Sequence, residues 1–440
     1  MTRRFVIVGN GAAGLAAAEA IRRLDALAEI TIVGDEPHPF YSRPGLAYYL
    51  SGLLPEAQLF SRPEREYRQL GIRRLTAKAT LVRAEAHRLE LENGESLAYD
   101  ALLLAVGARA VRPRTPGIDL DGVVVLDTLD DARDIINRSR RAKRAVVVGG
   151  GITAMEIAEG LAARGVETHY LLRRDRYWAN VLDSDESELV EDRLEEEGVR
   201  LHHNSEIARI LGRRGRVTGV ELSPGHVLSC QIVGVAIGIA PRVDLARASG
   251  LKVSRGIAVD PFLRTSAPDV FAAGDVAEVF DPDIGEPVLD SLWWLAIEQG
   301  KAAGVNMAGR PRAYRKGIPF NVTRVGGVTT TILGCVGQRV EDEDLVAIAR
   351  GDSQTWRGRP DASEVEDDSQ RNRVRVLVGR ERIMGALLMG DQSLSLPLQD
   401  LIRERVDVTP VRDHLLSPEH HLTSVLTEYW DSWKRGQDVR

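Results

Sequence analysis

Cysteine is almost absent from this chain: of 440 residues only Cys230 and Cys335 are cysteine, far apart and each inside an apolar stretch. No Cys-x-x-Cys or Cys-x4-Cys pair occurs, which excludes a disulfide framework and a dithiol redox centre. Long apolar runs are missing too. Without about 18 consecutive apolar residues no helix is expected to span a membrane. A basic surplus is also lacking. The formal charge of -6 excludes general nucleic-acid binding, which needs a basic face. Lysine supplies only six of the 58 basic residues, a composition bias that assigns no function. The N-terminus passes from Arg3 and Arg4 directly into VIVGNG rather than into a signal-peptide core, so a mature cytoplasmic protein is expected.

Glycine and proline, by contrast, are placed informatively. The length implies two or three domains. VIVGNGAAG (6–14) and VVVGGGITA (146–154) each follow a strand pattern and open a helix pattern, the context in which a glycine fingerprint binds a dinucleotide. In the first, Gly9 permits the tight turn, Gly11 lets the backbone approach a pyrophosphate, and Gly14 lets the helix pack on the strand, with Ala13 in the same turn. The free N–H groups of the helix N-terminus add positive potential. Asp35 and Glu36 follow the second strand at the distance where a carboxylate accepts hydrogen bonds from ribose hydroxyls. In the second fingerprint the pattern is Gly149, Gly151 and Ala154. Leu172 holds the carboxylate position, and Arg173, Arg174 and Arg176 follow. Arginines there favour a 2′-phosphate, so NADPH is expected ahead of NADH, a solvated turn being the other reading.

Residues 37–63 carry five prolines and read as a functional excursion with a short helix. Strands are expected at 4–8, 29–33, 87–91, 98–106, 199–210 and 216–223, and a charged helix at 184–197. Pro113 and Pro116 mark a domain crossing. The fold expected is therefore α/β, two nested Rossmann-like domains followed by an α+β region with an antiparallel sheet. Residues 1–112 and 245–315 would form the first domain, 113–244 the second and 316–440 the third. Within the third, 341–372 reads as an exposed loop or hairpin tip, and Trp430 and Trp433 dock on a core, a partner or dimer contact being the other reading.

With TSAPDVFAAGD at 265–275 added, the chain resembles the two-dinucleotide flavoproteins of the pyridine nucleotide-disulfide oxidoreductase fold. It is most similar to their rubredoxin and ferredoxin reductase, nitrite reductase flavin-domain and apoptosis-inducing-factor-like branch. The resemblance implies that FAD is bound by Asp35, Glu36 and Arg43, by Ala79 against adenine, by Ala105 and Gly107 of LLLAVGAR, and by Gly274 and Asp275. It implies that Glu156 lies between nicotinamide and flavin, and that Trp293 lies against the flavin with Trp294 in the core. Gly238, closing the apolar run 230–238, joins the nicotinamide site. Two departures stand out: Pro44 occupies the place of the usual reactive cysteine, and Tyr48 that of a lysine that pairs with the glutamate. Glu156, Tyr48 and Trp293 are thus the catalytic candidates, and no metal is expected.

The function implied is hydride transfer from NAD(P)H to flavin N5, then direct transfer to an acceptor, foremost a small iron–sulfur or rubredoxin-type protein. A flavin module of a nitrite-reductase-like or diaphorase system, and an apoptosis-inducing-factor-like redox sensor, are the alternatives. The basic segment 133–144 is a candidate landing patch for an acidic ferredoxin. Sheet regions such as 316–440 often support a homodimer in this fold.

Overall fold

The computed structural model describes residues 2–223, 225–337, 349–357, 361–369 and 372–438. The fully apolar run Phe5–Val8 is buried on both faces, as a central parallel strand requires. It lies in a five-stranded parallel sheet in the order Val270–Ala272, Ala101–Leu104, Arg4–Val8, Glu29–Gly34, Ile72–Thr76. The main helices are α1 (Ala12–Leu24), α2 (Gly45–Ser51), α3 (Ile152–Ala162), α4 (Ser184–Glu196) and α5 (Trp293–Met307). The alanine-rich face of α1 meets α5 at very short range. A Cβ on Gly300 would lie 2.1 Å from the Ala13 carbonyl oxygen, and one on Gly304 2.5 Å from that of Ala17.

A second parallel sheet repeats the plan, in the order Val199–His202, Glu167–Leu171, Arg144–Val148, Ile232–Val235, Val123–Val124. The antiparallel pair Ala108–Ala110 and Ile239–Pro241 connects the two units. The first sheet takes strands from either side of the second unit in sequence, the nested order expected. Two strand expectations need correction. The run 199–210 is two strands in different sheets, because Asn204 turns through φ +48° between Val199–His202 and Ile207–Arg213. The run 98–106 likewise divides between Ser96–Ala98 of an antiparallel meander and Ala101–Leu104 of the parallel sheet.

The third region is a five-stranded antiparallel sheet in the order Phe320–Val325, Val328–Gly334, Ile383–Met389, Asn372–Val378, Ser363–Ser369. Helices Ser395–Arg403 and Leu422–Asp438 close a core over it, into which Trp430 and Trp433 pack. The Trp430 indole N–H donates to Asp400 at 3.1 Å, which gives its polar edge a partner. Of the segment expected to be exposed, 341–372, residues 341–348, 358–360, 370 and 371 lie outside the described residues. The described part brings a correction: Asp352, Ser353, Thr355 and Trp356 are buried. Their polar groups are accommodated because Ser353 Oγ donates to Asp290 at 2.5 Å and Thr355 Oγ1 to Asp281 at 2.6 Å. Lys316 is buried with them, 2.7 Å from Asp281 and 3.4 Å from Asp290. Among the described residues no helix is long and apolar enough to cross a membrane.

Candidate functional site

The chain turns sharply at Gly9, with φ +114°, and a Cβ there would lie 2.1 Å from the Ala105 carbonyl oxygen. Only glycine fits that conformation at that separation. Gly14 is a packing residue, since its Cβ would meet the Gly9 carbonyl oxygen at 2.0 Å. Gly11 faces open space, with nothing within 4 Å of its Cβ position. That space is a cleft of about 690 Å³, within the ~300–1,000 Å³ of ligand sites. Gly9, Gly11, Ala13, Asp35, Glu36 and Arg43 line it. Ala79, Ala105, Gly107, Gly274, Asp275, Trp293, Tyr48 and Glu156 line the same cleft.

Part of the charge in the cleft is arranged by the proline-rich excursion. Glu36 accepts from the Tyr41 hydroxyl at 2.7 Å and from Arg43 at 2.5 Å, so both its oxygens are engaged by protein. Arg43 also donates to the Asp127 carbonyl. Burial pushes the Asp275 carboxyl up, and Ser291 donates to it at 3.0 Å. Gly274, at φ +80°, gives its N–H to the buried Gln299 side chain at 2.8 Å. The Trp293 ring lies 5.6 Å from that of Phe40 and forms part of the wall. Trp294 does not belong to the core: it is 50% exposed, with the Lys301 ammonium 5.3 Å from its ring, because successive residues of α5 point to different faces.

The second glycine turn copies the first. Gly149 has φ +147°, and its Cβ would lie 2.1 Å from the Ala236 carbonyl oxygen. Ala154 is buried beneath this turn. Gly151 and Gly238 border a much smaller cavity, about 20 Å³. Thr153 and Arg350 border both cavities. Leu172 is buried, and the arginines that follow line neither cavity: Arg173 lies 3.4 Å from Glu206, and Arg176 3.6 Å from Asp175. Arg174 is half-buried in the same turn.

Glu156 projects from α3 into the cleft, and burial together with Glu159 one turn on pushes its carboxyl up to about 8, against the pull of Arg350. Burial and Glu197 push Glu159 up to about 7. Both cysteines are buried and outside the cleft, and burial pushes their thiols up to about 12 (Cys230) and 11 (Cys335), so neither offers a thiolate there. Three of the six basic residues of segment 133–144 are paired, Arg133 with Glu56 at 2.6 Å, Arg138 with Asp121 and Asp134 at 2.7 Å, and Arg144 with Glu167 at 3.5 Å.

Sequence reasoning missed Arg350, Asp127, Thr153 and Glu159. Glu159 was recoverable from its spacing of three after Glu156, which shares a helix face. Arg350 had no signal, because it follows a charged stretch and reaches the cleft only through the fold. The donor set fits a flavin dinucleotide: an open glycine turn at a helix N-terminus, a carboxylate after the second strand, and a buried carboxyl beside a glycine held at positive φ.

Residues 3–303 match the family described as pyridine nucleotide-disulphide oxidoreductase. The ferredoxin–NAD(+) reductase component of the biphenyl dioxygenase system of Paraburkholderia xenovorans is 34% identical over 362 residues, 82% of this chain and 86% of that protein. An NADH oxidase of Methanocaldococcus jannaschii is 30% identical over 334 residues, 73% and 74% of the two chains. Among solved structures, the ferredoxin reductase for the CYP199A2 system of Rhodopseudomonas palustris superposes with a TM-score of 0.83 at 27% identity, covering 97% of this chain and all of that one.

Proposed function

This chain belongs to the pyridine nucleotide-disulphide oxidoreductase family, and from that premise we propose that it is an FAD-dependent reductase that draws on NAD(P)H and feeds a one-electron carrier protein directly. The observation that carries the reading is the single cleft that joins the first glycine turn to Glu156 on the helix of the second, with no cysteine along it. FAD, when bound, accepts a hydride from the nicotinamide and can return electrons singly.

Every other part of the work falls to this chain. Gly9 and Gly11 bring backbone N–H groups and the N-terminus of α1 to a pyrophosphate. Asp35 accepts from ribose hydroxyls, while Glu36, engaged by Tyr41 and Arg43, fixes the excursion that frames them. Asp275 takes hydrogen bonds at the ribityl side, and Ala79, Ala105, Gly107, Gly274 and Trp293 shape the wall. On the second unit Gly149, Gly151, Ala154 and Gly238 offer backbone to the nicotinamide nucleotide, which Glu156 orients toward the flavin. Tyr48, 40% exposed, lines the same cleft and offers it a hydroxyl.

The carrier is of ferredoxin or rubredoxin type. A bare flavin edge without a thiol relay suits single-electron delivery, and the similar proteins from Paraburkholderia and Rhodopseudomonas are named as ferredoxin reductases. NADPH is the preferred donor. Its support is Leu172 where an acidic side chain would repel a 2′-phosphate, with Arg173, Arg174 and Arg176 next to it. Anaerobic rapid mixing tests both points. NADPH should bleach the flavin absorbance faster than NADH at equal concentration, and a [2Fe–2S] ferredoxin or a rubredoxin should then reoxidise it faster than O₂ or a quinone. Failure of both nucleotides to bleach the flavin would overturn the reading.

A further inference from the structure

Gly351 to Asp352 form a strap from the third region, pinned across the mouth of the second glycine turn. The Gly351 N–H donates to the Ser291 carbonyl at 3.0 Å, the Asn321 side chain donates to the Gly351 carbonyl at 3.0 Å, and the Ser291 N–H to that of Asp352 at 3.0 Å. Ala349 and Arg350 stand immediately before it. The Ala349 methyl lies 3.4 Å from where a Cβ of Gly151 would stand, so it sits against the backbone that the fingerprint keeps bare. Arg350 borders both the large cleft and the 20 Å³ remnant beside Gly151 and Gly238.

The guanidinium of Arg350 is only partly used. One terminal nitrogen pairs with the Asp127 carboxylate, while Nε is buried with no hydrogen-bond partner. Asp127 is itself shared, since Arg242 also pairs with it at 3.2 Å. Glu156 and Asp275 are the other carboxyl groups that feel Arg350. A buried donor left unmatched and a carboxylate holding two arginines make a site whose charge suits an anion. Fork-shaped donors suit the adjacent oxygens of a diphosphate.

Building on the nicotinamide site proposed above, we propose that Arg350 is a nucleotide-binding residue that exchanges Asp127 for the diphosphate of the incoming nicotinamide dinucleotide. Asp127 and the diphosphate compete for one guanidinium, and binding transfers it from the carboxylate to the phosphate oxygens. Asp127 is thereby a competitor of the ligand, so the two partners must act in opposite directions.

Calorimetric titration of the FAD-loaded protein with NADP⁺ and with NAD⁺, neither of which can reduce it, tests the exchange. Arg350→Gln should weaken binding by roughly ten- to a hundred-fold, the worth of a charge-assisted hydrogen bond, and Arg350→Lys should restore part of it. Asp127→Asn should tighten binding severalfold. FAD content and the melting temperature report whether each variant is folded. Should Asp127→Asn fail to fold, the two Arg350 variants decide. Unchanged or tighter binding by Arg350→Gln, loss of FAD in its place, or weaker binding by folded Asp127→Asn would overturn the inference. Failure of the wild type to bind either nucleotide would instead overturn the nicotinamide site itself.

Discussion

Glu156 is the residue whose environment departs furthest from what its place in a helix announces. Its carboxyl is pushed up to about 8 from 4.5, so the folded protein keeps the proton where the unfolded chain gives it up. The unfolded state therefore gains from ionisation as pH rises from about 4.5 to 8, and this group subtracts stability across that window. The melting temperature of FAD-free protein should fall over that range, and Glu156→Gln should flatten the fall. In the loaded enzyme the rate of flavin bleaching should show an ionisation near 8 in the wild type that Glu156→Gln abolishes, with a rate loss of about ten-fold or more. Gly9→Ala adds a Cβ 2.1 Å from a carbonyl oxygen at a positive φ, and should cost at least ~3 kcal/mol in urea titration and abolish FAD retention. Gly9 is legible in sequence because a fixed spacing from a strand end sets it, and Glu156 through the family resemblance of GGGITAME. Arg350 is not, because no local pattern carries a side chain across three sheets.

Between elements, the contact of α1 with α5 shows how small residues set function at a distance. Gly300 and Gly304 let α5 lie on Ala13 and Ala17, which places Gln299 against the Gly274 N–H at the cleft. Gly300→Ala should cost roughly 1–3 kcal/mol by overpacking and raise the FAD dissociation constant. The link between the excursion 37–63 and the helix Leu129–Ser139 is weaker. Hydrogen bonds from Arg133 and Tyr49 hold Glu56 down at about 2, but the pair is a third exposed, so Glu56→Gln should cost less than ~1 kcal/mol. That contribution is complete above about pH 4.5 and is lost as pH falls through 2, as a thermal scan of wild type against variant will show. Helix and strand identities were readable from periodicity. The break at Asn204 and the burial of 352–356 were not, because φ at one residue and the partners Asp281 and Asp290 are supplied by the fold.

Across the whole molecule, the third region is fastened to the others by buried charge. Arg375 meets Glu186 at 2.8 and 2.9 Å and donates to the carbonyls of Val336 and Val181, linking the antiparallel sheet to α4. Arg375→Met leaves the buried Glu186 with only the Asp183 N–H at 3.0 Å and the more distant Arg373 at 3.8 Å, and should cost about 3 kcal/mol in urea titration. The double variant Arg375→Met with Glu186→Gln should recover part of that loss. By itself the sequence determined the two glycine turns, the nested order of the domains, the acidic residues after the first unit's second strand and the absence of cysteine chemistry. The turns and the acidic residues depend on spacing within about 30 residues of chain, where local geometry is set by local residues, while the nested order and the lack of cysteine pairs are read along the whole chain. Only the tertiary structure decided that Glu36 is already engaged, that Trp294 is exposed, that Asp352, Ser353, Thr355 and Trp356 are buried, and that Arg350 stands beside Asp127 at the second turn. The last two turn on contacts between residues 63 to 223 positions apart, which close only when the third region packs on the other two.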